Sequence, residues 1–139
     1  MSRKASLLVV DGYNILNAWG LNERRINLEA AREDLGDFLA DFGGYSGLDV
    51  LLVFDAHRSD QADAVEEKGN LKVIYTKPNE TADSRIERLI KPLLNDYRTI
   101  TVATADYALQ LFVLGAGALR MTPLELKTLV EKERGSKIE

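Results

Sequence analysis

The sequence predicts a three-layer α/β domain, with helices on both faces of a mostly parallel sheet of about five strands. Three observations lead there. Short apolar runs alternate with segments of helical period in the order β-α-β-β-α-β-α-β-α. The first two runs, Leu7-Leu8-Val9-Val10 and Val50-Leu51-Leu52-Val53-Phe54, are continuously apolar, as in strands covered on both faces. The 139 residues, 45% hydrophobic and 29% charged, suit a single soluble domain, 1–139, with its own core.

Each element has a local reason. After the first strand, Leu28, Ala31, Leu35, Phe38, Leu39 and Phe42 form a helical stripe, with Asn27 as N-cap and Gly43-Gly44 as the stop. The second strand, 50–54, precedes a third in Leu71-Lys72-Val73-Ile74-Tyr75. A second helix carries Ile86, Leu89, Ile90, Leu93 and Leu94; Thr81 is placed to cap it, and Pro92 is expected to kink or divide it. The fourth strand is Ile100-Thr101-Val102-Ala103, and a third helix over 107–114 ends at Gly115. A weaker fifth strand, Ala118-Leu119-Arg120-Met121, leads to Thr122-Pro123, a cap followed by proline at the first helical position. The last helix is expected to run to about residue 133, with a charged tail that frays. No linker, repeat or low-complexity segment interrupts the chain.

Composition narrows the chemistry. Cysteine is absent and His57 is the one histidine, which excludes disulfides, thiolate sites, cysteine nucleophiles and paired-histidine catalysis. Carboxylates, hydroxyls, amides and bases of the Lys/Arg type remain, and oxygen donors of that kind suit Mg²⁺ or Mn²⁺. The net charge of −4 argues weakly against generic polyanion binding, unless cations are segregated on one face. No apolar run spans a bilayer and no signal-peptide core opens the chain, so a cytoplasmic protein without a membrane partner is expected.

The acids fall in a pattern. Asp11 follows the first strand, Asp55 the second, and Asp106 the fourth; Glu80 and Asp83 lie between the third strand and its helix. In a parallel sheet these positions share the carboxyl edge of the strands, where ligands bind. Acids gathered on one rim repel one another unless a cation sits among them. Taken singly, each aspartate also reads as a turn or cap residue, and Asp83 as a helix-dipole partner. Position alone leaves a metal or phosphate site level with those readings. Asn14 is equally divided between orienting a carboxylate and capping a short helix, and His57 reads as a structural loop residue. Arg24, Arg25, Arg58, Lys77 and Arg85 are candidate phosphate contacts, while Arg88 reads as a solvated helix face. Tyr13, Trp19 and Tyr107 are placed to stack on unpaired bases, with packing the stronger reading for Trp19.

Four ordered motifs carry a resemblance: Val9-Val10-Asp11-Gly12-Tyr13-Asn14, Val53-Phe54-Asp55-Ala56-His57, Thr76-Lys77-Pro78-Asn79-Glu80-Thr81-Ala82-Asp83, and Val102-Ala103-Thr104-Ala105-Asp106-Tyr107. Together with Gly117-Ala118-Leu119-Arg120 they resemble the YacP-like NYN-domain family over nearly the whole chain. The resemblance implies a PIN-like (Rossmann-like) fold with strand order 3-2-1-4-5, so that Asp11 and Asp106 flank the switch point. It also implies an Mg²⁺- or Mn²⁺-dependent endoribonuclease for single-stranded RNA, with Asp11, Asp83 and Asp106 as catalytic, metal-binding acids. Asn14, Asp55 and Glu80 are supporting residues on that basis. The best-described relatives look like enzymes that cut mRNA on the ribosome, which makes RNA and the ribosome the implied partners.

This chain departs from the family pattern at Ala105 and Leu109, where relatives carry a serine and a glutamate. A second reading follows: a catalytically weak or inactive nuclease-fold protein that binds RNA or ribosomes. A receiver-type domain lacks the acidic pair at the first strand, and its Lys-Pro dipeptide is on the wrong side of Thr104. An Asp-x-Asp phosphatase fails at Tyr13, and a dinucleotide-binding domain lacks its glycine fingerprint.

Overall fold

The computed structural model describes residues 3–21, 27–56 and 62–138. The elements are β1 (Lys4–Asp11), α1 (Gly12–Ala18), α2 (Leu28–Ser46), β2 (Asp49–Phe54), β3 (Val65–Lys68), β4 (Leu71–Tyr75), α3 (Ala82–Leu93), β5 (Tyr97–Ala103), α4 (Tyr107–Ala116), β6 (Leu119–Met121) and α5 (Pro123–Ile138). They form one six-stranded sheet in the order β3-β4-β2-β1-β5-β6. Every pairing is parallel except β3 with β4. The expected order of five strands is therefore present, with one more strand added at the edge. No helix of the described residues is long and apolar enough to cross a membrane.

Strand alternation divides the core into two layers. Leu8, Val10, Val50, Leu52, Phe54 and Val73 face α1, α2 and α5 through Ile15, Leu35, Leu39, Phe42, Leu126 and Val130. Leu7, Val9, Leu51, Val53, Ile100 and Val102 face α3 and α4 through Ile86, Ile90, Leu109 and Val113. The central strand β1 is buried on both faces, from Leu7 to Asp11.

The added strand β3 is Val-Glu-Glu-Lys, exposed at every residue. It pairs antiparallel with β4 across Gly69-Asn70, with Lys68 opposite Leu71 and Gly69 at φ 59°. Such a charged, short edge strand blunts an exposed ladder. Its apolar pattern is silent, but the Gly-Asn pair between two short runs is a hairpin signal.

Helix ends follow local chemistry. The Asn27 side chain accepts from the Ala30 N–H at 3.2 Å, as expected of an N-cap. Its helix does not stop at Gly43-Gly44 but continues to Ser46 and ends at Gly47, which adopts φ 73°. Gly43 instead serves close packing, because a Cβ there would lie 3.1 Å from the Leu48 carbonyl oxygen. Thr81 caps α3 through the Ser84 N–H. Pro92 lies in the last turn of α3, so it ends the helix rather than dividing it. The third helix likewise passes Gly115 and ends at Gly117, φ 100°. Thr122 and Glu125 form a reciprocal capping box at α5, with bonds of 2.8 and 3.1 Å. That helix continues to Ile138, beyond the expected end.

Candidate active site

The topology brings the carboxyl ends of β1, β2 and β5 together with the start of α3. Between them lies an open cleft of about 560 Å³, lined by Asp11, Tyr13, Asn14, Asn17, Asp55, Thr81, Ala82, Asp83 and Asp106. Asp11, Asp55, Asp83 and Asp106 thus meet at one site. Glu80 does not line it.

Asp11 ends β1 and begins α1, yet its side chain makes no cap bond to that helix. The cap reading fails for this residue. Its carboxylate is buried and accepts one hydrogen bond, from Thr104 Oγ1 at 2.9 Å. Burial pushes its pKa up to about 6; the Thr104 bond opposes the rise, and the nearby Asp106 and Asp55 charges add to it. The chain can approach β2 this closely because residue 12 is glycine: a Cβ there would lie 2.4 Å from the Phe54 ring.

Asp106 keeps its bland role as well as its rim position. It is the N-cap of α4, and its Oδ1 accepts from the Ala108 and Leu109 N–H groups at 2.9 and 3.3 Å. Asp83, in the first turn of α3, shares a side-chain hydrogen bond with Asp106, which holds the Asp106 pKa down and drives that of Asp83 up. Burial is the largest cause for Asp83, and together these effects place it at about 7. Opposite shifts in two neighbouring carboxyls are what like charges pressed together produce.

Thr104, which the acidic pattern passes over, joins the two sides. This fully buried hydroxyl donates to Asp11 and accepts from the Asp106 N–H at 3.1 Å. Gln110 Nε2 donates to the Thr104 carbonyl at 2.7 Å, and Asn14 Oδ1 accepts from the Ala105 N–H at 2.6 Å. Asn14 therefore fixes the loop before Asp106 and does not cap α1. The readable signal was Thr104 itself, the first residue past β5 and two before an acid.

Glu80 belongs to a separate clamp. Its carboxylate accepts from Arg85 Nε at 3.0 Å and Nη2 at 2.6 Å, and pairs with Arg88 at 2.6 Å. The Arg85 bond is the main reason its pKa falls to about 2. Arg85 is buried and its guanidinium is turned to Glu80, whereas Lys77 is exposed. Arg24, Arg25, His57 and Arg58 lie outside the described residues.

The aromatic candidates separate cleanly. Tyr13 is buried, packs 4.9 Å from Phe54 and accepts a bond from Arg32. Trp19 donates to the Pro123 carbonyl at 2.9 Å and packs edge-on against Phe38. Tyr107 is 70% exposed beside Asp106. The two departures from the family pattern are also placed: Ala105 is exposed and offers its backbone N–H, and Leu109 is buried in the core beneath α4.

Among the described residues no three acids or histidines form a ready-made coordination group. The donor set nevertheless fits a hard divalent cation: it is all oxygen, and burial with mutual repulsion raises the Asp11 and Asp83 carboxyls, a rise that a bound cation would reverse.

A mostly parallel three-layer α/β domain with clustered carboxylates at its switch point defines a protein of the PIN-like nuclease fold. The chain matches the YacP-like NYN domain over residues 8–139 and belongs to that family. It is 42% identical over 127 residues to the uncharacterized protein YacP of Bacillus subtilis (strain 168), covering 90% of this chain and 75% of the relative. Two crystal structures of Rae1 (YacP) from Bacillus subtilis superpose on it. A tryptophan-to-leucine mutant gives a TM-score of 0.80 at 40% identity, covering 94% of this chain and 78% of that chain. The other gives 0.77 at 39% identity, covering 94% and 76%.

Proposed function

We propose that this protein is an Mg²⁺- or Mn²⁺-dependent endoribonuclease that cleaves single-stranded RNA, with Asp11, Asp83 and Asp106 as its catalytic acids. One observation carries the reading: the buried carboxylate of Asp11, which caps nothing, lines one cleft with Asp55, Asp83 and Asp106. A fold needs no such repulsion for stability, and groups so perturbed in a cleft mark chemistry.

A divalent cation at these acids supplies, when bound, a water of lowered pKa and a polarised phosphodiester. The protein's own groups do the rest. Asp11, Asp83 and Asp106 would hold the cation, and Asp55 adds negative charge at the same rim. Thr104 and Asn14 keep the loop of Asp106 in register with Asp11. Lys77, exposed beside the entrance to α3, is the described candidate for a phosphate contact. The cleft's openness admits a flexible strand. The family resemblance extends the proposal to mRNA on translating ribosomes in the cytoplasm. Ala105 and Leu109 meet Asn14 and Asp106 through their backbone N–H groups, bonds that do not depend on side chains, which favours a cutting protein over one that only binds.

End-labelled single-stranded RNA should be cleaved internally with Mn²⁺ or Mg²⁺ and spared in EDTA. Asp11→Asn should reduce the rate by about 100-fold or more. Pure protein that leaves RNA intact with every divalent metal, both free and on translating ribosomes, would overturn the reading.

A further inference from the structure

Gln110 is an unusual residue for the buried side of α4. It is 7% exposed, next to Leu109 and one turn before Val113, both of which pack in the core. Burying an amide there costs stability unless it is hydrogen-bonded. Its Nε2 donates to the Thr104 carbonyl at 2.7 Å, in a buried bond. Any donor could satisfy that carbonyl. What singles out Gln110 is the peptide that it holds.

The Thr104 carbonyl and the Ala105 N–H belong to one trans peptide, so they point to opposite sides of a rigid plane. Gln110, on α4, holds the carbonyl; Asn14 Oδ1, on α1, holds the N–H at 2.6 Å. Two side-chain amides from two helices therefore grip one peptide from both sides and keep it from turning. That peptide is the link between two of the acids. Before it, the Thr104 hydroxyl donates to Asp11; after it comes Asp106, whose N–H returns to the same hydroxyl. The Gln110 N–H also donates to the Asp106 carbonyl at 3.0 Å, so residue 110 fixes the loop at both ends. We propose that Gln110 is a positioning residue: with Asn14 it locks the Thr104–Ala105 peptide and so sets Asp106 against Asp11. The proposal rests on the nuclease reading of the cleft. Misplacing a reacting group by about 1 Å can cost about 100-fold in rate, so a lost grip behind the cleft should be felt in turnover.

Two measurements on the full chain test it: amide hydrogen exchange by NMR in EDTA, and cleavage of single-stranded RNA with Mn²⁺. Gln110→Met keeps an unbranched side chain and removes the donor. Gln110→Leu is a second donor-free variant and should behave alike. Val113→Ala, on the same buried side of α4, removes packing and no hydrogen bond to the loop. Relative to the amides of β1, those of Ala105 and Asp106 should exchange at least about tenfold faster in the Gln110 variants. In Val113→Ala they should stay within about threefold of wild type. Per folded molecule, kcat should fall at least about tenfold in the Gln110 variants, with KM within about twofold, and hold within about threefold in Val113→Ala. Unchanged exchange in the Gln110 variants overturns the proposal, as does faster exchange with unchanged kcat, or a loss of kcat that Val113→Ala shares. Wild type that cuts no RNA overturns the nuclease reading instead, and faster exchange in the Gln110 variants would still assign the grip on the loop to Gln110.

Discussion

Glu80 and Asp83 lie within one turn of each other at the entrance to α3, and the fold treats them in opposite ways. Glu80 is enclosed by two arginines, and its carboxyl is held at about 2. Asp83 is raised to about 7 by burial and then by neighbouring carboxylates, Asp106 beside it and Asp11 and Glu87 nearby. The first arrangement spends charge on structure. The second leaves charge uncompensated, as a cation-binding or catalytic site requires. Two acids at about 4 Å in a protein-like dielectric repel by about 4 kcal/mol, so such a cluster persists only where packing elsewhere over-determines it.

The largest expected effect lies on the Asp83 side. Asp83→Asn should lower RNA cleavage by about 100-fold or more, because a carboxylate at the reacting centre is lost. Its thermal midpoint in EDTA at neutral pH should rise, because one member of a repelling cluster is gone. Steady-state kinetics and a melting curve on the same sample decide the matter. A variant that is both inactive and less stable would move Asp83 to the structural side with Glu80.

Glu80→Gln should show the reverse. It leaves Arg85, whose side chain is 11% exposed, without its bidentate partner. An exposed pair is worth about 1 kcal/mol and a buried one about 3 to 5, so this rim clamp should cost about 2 kcal/mol in urea unfolding. Cleavage per folded molecule should stay within about threefold of wild type. A loss matching that of Asp83→Asn would bring Glu80 into the chemistry.

The contrast between these acids was only half legible in the sequence. Rim position was readable because parallel strands end on a common edge, and of the five acids it placed there Asp11, Asp55, Asp83 and Asp106 line the cleft while Glu80 does not. Pairing was not. Position put Glu80 on the rim beside Asp83, and the family resemblance made it a supporting acid, but Arg85 and Arg88 hold its carboxylate in a clamp outside the cleft lining. Thr104 bonds Asp11 across 93 residues, a distance no local pattern encodes. For the fold, continuous apolar runs and the caps Asn27, Thr81 and Thr122 located most elements. Strand β3 escaped because three of its four residues are charged, so its pairing rests on backbone and a two-residue turn. Gly43 and Gly44 misled because glycine weakens a helix without ending it; the end came at Gly47, where the backbone needs positive φ.

Thr104→Val sharpens the comparison from inside the cleft. It removes the donor to Asp11 and the acceptor of the Asp106 N–H, in a site with no exposure. A buried carboxylate and a part-buried N–H left without this partner should together cost about 2 kcal/mol or more. Since the Thr104 bond restrains the rise of the Asp11 pKa, the acid limb of the pH–rate profile should move upward. Thr104→Ser should restore it. A loss of stability with an unmoved profile would make Thr104 a packing residue alone.

The effect that reads both kinds of acid at once is the pH dependence of stability without metal. Asp11 and Asp83 have folded pKa values of about 6 and about 7, above the ordinary aspartate value of 3.8. Between those limits the folded protein keeps protons that the unfolded chain has released, so stability present below about pH 4 is lost as pH rises toward 7. Glu80 has the opposite sign: at about 2, against an ordinary 4.5, its contribution is full above pH 4.5 and lost as pH falls toward 2. In EDTA the melting temperature should therefore peak near pH 4 to 5 and fall by a few degrees toward pH 7. Asp83→Asn should flatten the neutral side, Glu80→Gln should flatten the acid side, and Mn²⁺ should recover the loss near pH 7 by replacing protons among the carboxylates. A melting temperature that climbs steadily from pH 4 to 7 in EDTA would mean that Asp11 and Asp83 are compensated as Glu80 is, and the distinction between clamp and cleft would collapse.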